Sequence, residues 1–260
     1  VIDATLDGGG HSKLFLKAVG PSGKVLGIEQ DSGMIEKIKF EKLKNLVVAE
    51  DNFRNIKKIA QRYSFHPDAI FFDLGMSTWH LKESGKGFSF QKREEPLDMR
   101  FSSSGKASAA EIINSFTNEK LTEIFKEYGE EPKARFFAQR IVEERKNKKI
   151  ITVGDFTNAI GVKHPKVLAR IFQSLRIYIN DELNALKEGL KGAVDILNTN
   201  GHVAVLSYHS LEDRVVKVFF KNLEKEKIGT TLKKPIVPSI DEIKQNPSAR
   251  SAKLRILWKI

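Results

Sequence analysis

Three short clusters in this 260-residue chain carry groups able to do chemistry. The first is Asp7-Gly8-Gly9-Gly10-His11-Ser12, which follows an apolar run opening at Val1-Ile2; glycines there let backbone N–H groups approach a ligand closely. Glu29 ends the next apolar run, about 20 residues on, where an acid accepts both hydroxyls of a ribose. The second cluster is Asp73-Leu74-Gly75-Met76-Ser77, whose carboxylate emerges from the buried run Ala69-Ile70-Phe71-Phe72. The third is Ser207-Tyr208-His209-Ser210. An acid at the end of a buried strand reads as a site residue; the plainer alternative is that Asp73 caps the next turn. Lys13 stands three places after Gly10, so the spacing G-x-G-x-x-G fails and no pyrophosphate cradle is written. The frame therefore favours S-adenosylmethionine over NAD as cofactor.

A sheet is needed to bring these clusters together. Apolar runs at 1–6, 24–29, 46–51 and 68–74 alternate with helix-period stretches at 11–19, 32–43 and 54–63, a βαβ series. The alternation resumes only with a strand at 202–208, a helix at 212–226 and a strand at 254–260. Between them 107–116, 118–128, 133–147 and 153–160 show helical periodicity, punctuated by Gly129, Pro132 and Gly154. Pro165 opens a stretch to Leu197 that should hold two helices broken near Gly189 or Gly192. The expected fold is α/β, with a parallel-sheet core at 1–83 and 176–260 and an inserted all-α unit at 84–175. Ligands of such sheets bind beyond the carboxyl ends of the strands, so the three clusters are expected to converge on one crevice.

Composition narrows the function classes. The 40% apolar content supports a real core, and no apolar run is long enough to span a bilayer. Absence of cysteine excludes a disulfide scaffold and cysteine-based zinc sites; no metal is expected, and the cytoplasm is the default address. The chain opens without Met inside a strand-like run, so an upstream segment is expected to be missing. Net charge is +11 but uneven: residues 1–83 hold 12 Lys and Arg against 11 acids, 84–180 hold 18 against 12, and 214–260 hold 12 against 4. Basic surface beside a neutral pocket points to a polyanionic partner. Arg135, Arg140 and Arg145, with Lys146, Lys148 and Lys149, lie along or beyond one helix and suit phosphate contacts, a solvated charge run being the alternative. Phe136 and Phe137 on that helix are expected in the core.

The motifs resemble those of the bacterial ribosomal RNA small subunit methyltransferase H family, formerly the MraW family. They are Asp3-Ala4-Thr5-Leu6 with Gly9-Gly10-His11-Ser12; Asp73-Leu74-Gly75 with Ser77; Gly87-Phe88-Ser89-Phe90; Pro96-Leu97-Asp98-Met99-Arg100; Leu175-Arg176-Ile177 with Asn180 and Glu182-Leu183; His209-Ser210-Leu211-Glu212-Asp213-Arg214; and Arg250-Ser251-Ala252-Lys253-Leu254-Arg255. They stand in the family's order across nearly the whole chain. Asp7 replaces a glycine of the family pattern, and Thr78-Trp79-His80 departs from Ser-Pro-Gln.

The resemblance implies a Rossmann-like class I methyltransferase sheet with an inserted helical substrate domain, and methyl transfer from S-adenosylmethionine to the exocyclic N4 of a cytidine in the decoding region of 16S rRNA. It places Gly9, Gly10 and His11 at the methionine end of the cofactor, Glu29 on the ribose and Phe53 by the adenine, with Asp73 and His80 completing the shell. Cytosine N4 is a poor nucleophile, so an acceptor must draw off its proton: Asp73 or Ser77. His209 either shuttles that proton or holds its own motif together. Trp79 or Tyr208 suits stacking on an extruded base, and Arg135, Arg140 and Arg145 suit rRNA phosphates. The small ribosomal subunit is the implied partner. Alternatives are a methyltransferase of DNA or another RNA, and a non-catalytic RNA-binding assembly factor.

Overall fold

The computed structural model describes residues 1–37, 45–102 and 105–260. Among the described residues one seven-stranded sheet runs, edge to edge, β3 (Leu46–Glu50), β2 (Val25–Glu29), β1 (Ile2–Asp3), β4 (Ala69–Asp73), β5 (His202–Ser207), β7 (Lys253–Lys259) and β6 (Gly229–Thr231). The first five are mutually parallel, and β7 is antiparallel to both neighbours. The order reverses beside β1, the switch point at which a Rossmann-like sheet binds its ligand. Helices α1 (Gly10–Val19), α2 (Ser32–Lys37) and α3 (Ile56–Arg62) connect the first strands. The expected continuation of α2 to residue 43 lies outside the described residues.

The chain divides into two compact units, Val1–Gly75 with Leu183–Ile260, and Met76–Glu182. The second unit carries α4 (Thr78–Lys82), α5 (Ala109–Ser115), α6 (Asn118–Glu127), α7 (Ala134–Asn147), α8 (Val153–Ile160) and α9 (Pro165–Asn180). Its core gathers Phe125, Phe137, Phe156, Ile171 and Leu175. After it come α10 (Glu182–Ile196), α11 (Ser210–Lys225) and α12 (Ile240–Gln245). The sheet unit buries Ile2, Leu26, Ile28, Ile70, Phe72, Val203 and Phe220, each such side chain contributing about 1.5–3 kcal/mol of transfer free energy. No helix among the described residues is long and apolar enough to cross a membrane.

Several local expectations are corrected. The long stretch after Pro165 breaks at Asp181, not at a glycine: Asp181 adopts φ 53° and ψ 40°, a left-handed conformation that Asp tolerates. Arg176 straps the corner with two bonds to Glu182, at 2.7 and 2.9 Å. Gly189 and Gly192 lie inside α10, where a Cβ would fall 2.8 Å from the Phe53 ring and 2.9 Å from Ile56 Cγ2, so they permit close packing. The two compact units divide at 75/76 and 182/183, and Met76, Leu81 and Ile179 pack in the helical core. Phe137 is buried, but Phe136 is 53% exposed; adjacent helical positions point in different directions.

Candidate active site

The turn from β1 into α1 is shaped by two left-handed residues, Asp7 (φ 44°) and Gly9 (φ 73°). It is tied to the second strand: Asp7 N donates to Glu29 Oε2 at 3.1 Å, while Gln30 N and Asp31 N each donate to Glu29 Oε1 at 2.8 Å. Three backbone groups thus fix the carboxylate at the tip of β2. A Cβ built on Gly8 or Gly10 would meet nothing within 4 Å, so the turn faces open space. Beneath it Asp3 is fully buried; Oδ2 accepts from Ser12 Oγ at 2.6 Å, and Oδ1 has no hydrogen-bond partner among the described residues. Burial pushes the Asp3 carboxyl up to about 6. Burial, then the charges of Glu29, Asp73 and Asp3, pushes Asp7 up to about 8. Open space, an oriented ribose acceptor and carboxylates short of positive charge fit the ribose, sulfonium and ammonium groups of S-adenosylmethionine.

The three strand ends meet at Asp73. Its backbone N donates to Thr5 Oγ1 at 2.6 Å, which fixes the end of β4 against the first turn. Tyr208 OH donates to Asp73 Oδ1 at 2.9 Å, and His11 Nδ1 lies 3.6 Å from Oδ2. Burial raises the Asp73 carboxyl above the usual range, against the opposing effects of the Tyr208 bond and of His11. Tyr208 is raised in turn, by burial and by the charge of Asp73, and so remains a phenol that donates. Gly75, at φ 100°, lets the chain turn beside the Tyr208 ring. Phe53 packs edge-on against Phe72 at 5.6 Å between ring centroids and borders Gly189.

His209 caps α11. Its Nδ1 accepts from Glu212 N at 3.3 Å, which leaves Nε2 as the protonated nitrogen, 3.0 Å from Glu212 Oε1. Glu212 reciprocates by accepting from Tyr208 N at 2.9 Å and His209 N at 3.3 Å. Sequence reasoning gave Glu212 no role of its own, although the spacing from residue 209 is that of a capping box.

The remaining candidates belong to the helical unit. Ser77 caps α4 and its Oγ sits 2.9 Å from His80 Nδ1, the two forming a reciprocal capping box. The His80 ring is buried against Trp79, Phe88 and Phe101, at 5.1, 5.3 and 4.9 Å. Of the three arginines, Arg135 is exposed. Arg140 Nε donates to Ala159 O at 3.3 Å and Arg145 Nη1 to Ile113 O at 2.6 Å, cations closing the last turns of α8 and α5.

The MraW methylase family model matches residues 1–260. Ribosomal RNA small subunit methyltransferase H of Dictyoglomus thermophilum is 44% identical over 265 residues, covering 98% of this chain and 89% of that protein. The protein of the same name from Persephonella marina is 40% identical over 274 residues, covering 100% and 92%. A crystal structure of an rRNA methylase from Streptococcus thermophilus aligns over 100% of this chain and 85% of its own, with TM-score 0.46 and 13% identity. Matched along residues 1–260, the chain belongs to the MraW methylase family, a methyltransferase whose methyl donor is S-adenosyl-L-methionine.

Proposed function

We propose that the protein methylates the exocyclic N4 of a cytidine in the decoding region of small-subunit 16S rRNA. The observation that carries this reading is Asp73: a carboxylate at the end of a buried strand, hydrogen-bonded by Tyr208 at 2.9 Å, in a chain similar to proteins named rRNA small subunit methyltransferase H. S-adenosylmethionine, when bound, supplies an electrophilic methyl on a good leaving group. Gly9, Gly10, His11, Glu29 and Phe53 are assigned to hold it. What remains for the chain is to orient N4 and remove its proton as the new N–C bond forms.

Asp73 suits that removal, because a carboxyl with raised proton affinity holds what it takes. Tyr208 keeps one oxygen of the acid engaged and orients the other. Ser77 is a neutral hydroxyl already paired with His80, so we assign the acceptor role to Asp73 and a capping role to Ser77. His209 and Glu212 are positioning residues that set the backbone of Tyr208. The helical unit is assigned the RNA grip, with exposed Arg135, Lys146 and Lys149 as phosphate contacts; Arg140 and Arg145 retain donors for the same task while holding helix ends.

The test is transfer of radiolabelled methyl to small subunits lacking this modification, followed by digestion of the rRNA to nucleosides. Label in N4-methylcytidine, lost in Asp73→Ala, is expected. Label in another nucleoside, or transfer only to DNA or free RNA, reassigns the substrate. Tight cofactor binding by calorimetry with no transfer to any nucleic acid points instead to a non-catalytic assembly factor.

A further inference from the structure

Beside Asp73 the sheet unit contains a cavity of ≈ 370 Å³ that the cofactor residues leave unused; only His11 is common to both. Tyr208 lines it, together with Ile236, Val237, Asn246 and Ala249. The volume falls at the small end of ligand pockets, roughly 300–1,000 Å³, which suits a single nucleoside.

The wall is a built feature. Ile236 and Leu254 exchange backbone hydrogen bonds, both 2.9 Å, which clip the 232–240 segment onto the edge of β7. Ser239 then caps α12, and Asn246 closes it. This clip presents Ile236 and Val237 with 49% and 59% of their surface exposed at the cavity. Two large apolar side chains left in water beside a polar rim fit a flat ring that slides between them and Tyr208. Asn246 Oδ1 accepts from Ser248 Oγ, so its amide NH₂ is the group left to donate.

We propose that this cavity is the acceptor-base pocket, taking the extruded cytosine against Tyr208, with Asn246 reading the base edge. The proposal rests on the methyl-transfer reading given above. Cytosine presents acceptors at O2 and N3 next to the N4 amine. Asn246 donates to one of those acceptors, and the amine faces the Tyr208–Asp73 pair, where its proton is drawn off. Uracil reverses the pattern at N3 and position 4, placing a donor against a donor and an oxygen against the carboxylate. Asn246 is in this sense a specificity residue, and Ile236 and Val237 are the lips that keep the ring in place.

Val237→Trp fills the mouth from an exposed position, and Asn246→Ala removes the donor from an exposed rim, so both variants are expected to fold. Methyl transfer to unmodified small subunits and calorimetric cofactor affinity are measured for each. Val237→Trp is expected to lose about 100-fold in kcat/KM, and Asn246→Ala about 10-fold, with cofactor affinity unchanged. Wild-type rates in both variants overturn the pocket while leaving the methyltransferase reading intact. Loss of cofactor affinity in parallel with rate also overturns it, since the cavity then belongs to the cofactor. No transfer by the unaltered protein fails the underlying reading, and the pocket with it.

Discussion

The acids at the strand ends of the sheet unit and the paired acids of the helical unit live under opposite conditions. At the strand ends Asp3, Asp7 and Asp73 sit where burial raises their proton affinity, to about 6 and about 8 for the first two. In the helical unit Lys148, 2.7 Å away, and the N–H groups at the start of α8 hold Asp155 well below the usual carboxylate range. Asp98 receives Arg100 at 2.6 and 3.0 Å, and Glu131 pairs with Arg170 at 3.3 Å. The helical unit uses these carboxylates to hold helices and turns in place, as Glu212 does for α11; the strand ends keep theirs in a state that ordinary folding would avoid. Residues kept at a cost to stability are those a ligand must redeem, and here the ligand brings positive charge.

Asp73→Asn is the sharpest way to break this contrast. Methyl transfer should fall about 10²–10⁴-fold, as expected for loss of a proton acceptor, while the thermal midpoint holds or rises because a buried carboxylate has gone. Activity close to that of the parent would remove Asp73 from the chemistry.

The pH dependence of stability should also differ between the units. For Asp3 and Asp7 the folded protein binds more protons than the unfolded chain between the ordinary value of 3.8 and about 6 or about 8, so stability falls as pH rises through that window. Asp155 has the reverse sign: its contribution is present above 3.8 and is lost as pH drops below it. Asp7→Asn keeps a residue that tolerates the left-handed turn and should flatten the decline toward pH 8 by a few kcal/mol in cofactor-free protein. Denaturant titrations at a series of pH values measure this. A slope unchanged by the substitution would deny Asp7 its raised affinity. The smallest effect is expected from Asp155→Ala, about 1–2 kcal/mol through loss of the cap. Hydrogen exchange should place that loss in residues 151–160; loosening spread evenly over the sheet unit would argue against a local role.

Much of this was legible because periodicity and chemistry agreed. The runs ending at Glu29, Asp73 and Ser207 are short and apolar, are bounded by polar residues, and fold as the strands they resemble. Their meeting at Asp73 follows from the rule that strand ends of a parallel sheet share one edge. What escaped notice depended on contacts distant in sequence. Asp181 ends a helix with no glycine or proline to announce it, because the Arg176–Glu182 pair supplies the restraint. Gly189 and Gly192 read as breakers although their partners, Phe53 and Ile56, lie far along the chain. Gly229–Thr231 is too short and polar to stand out as a strand until β7 is beside it. The wall at Ile236 is equally invisible in a stretch of lysines and prolines.

The discontinuous sheet has a consequence for how the molecule is made. Residues 76–182 are contiguous and contain their own core, so all of its residues precede β5 in the chain. β4 lacks one of its two neighbours until residues 202–207 arrive, and β5 lacks one until 253–259 do. On an elongating chain the helical unit is therefore the first able to close, while a half-paired sheet edge, with its buried acids, must wait for the last strand.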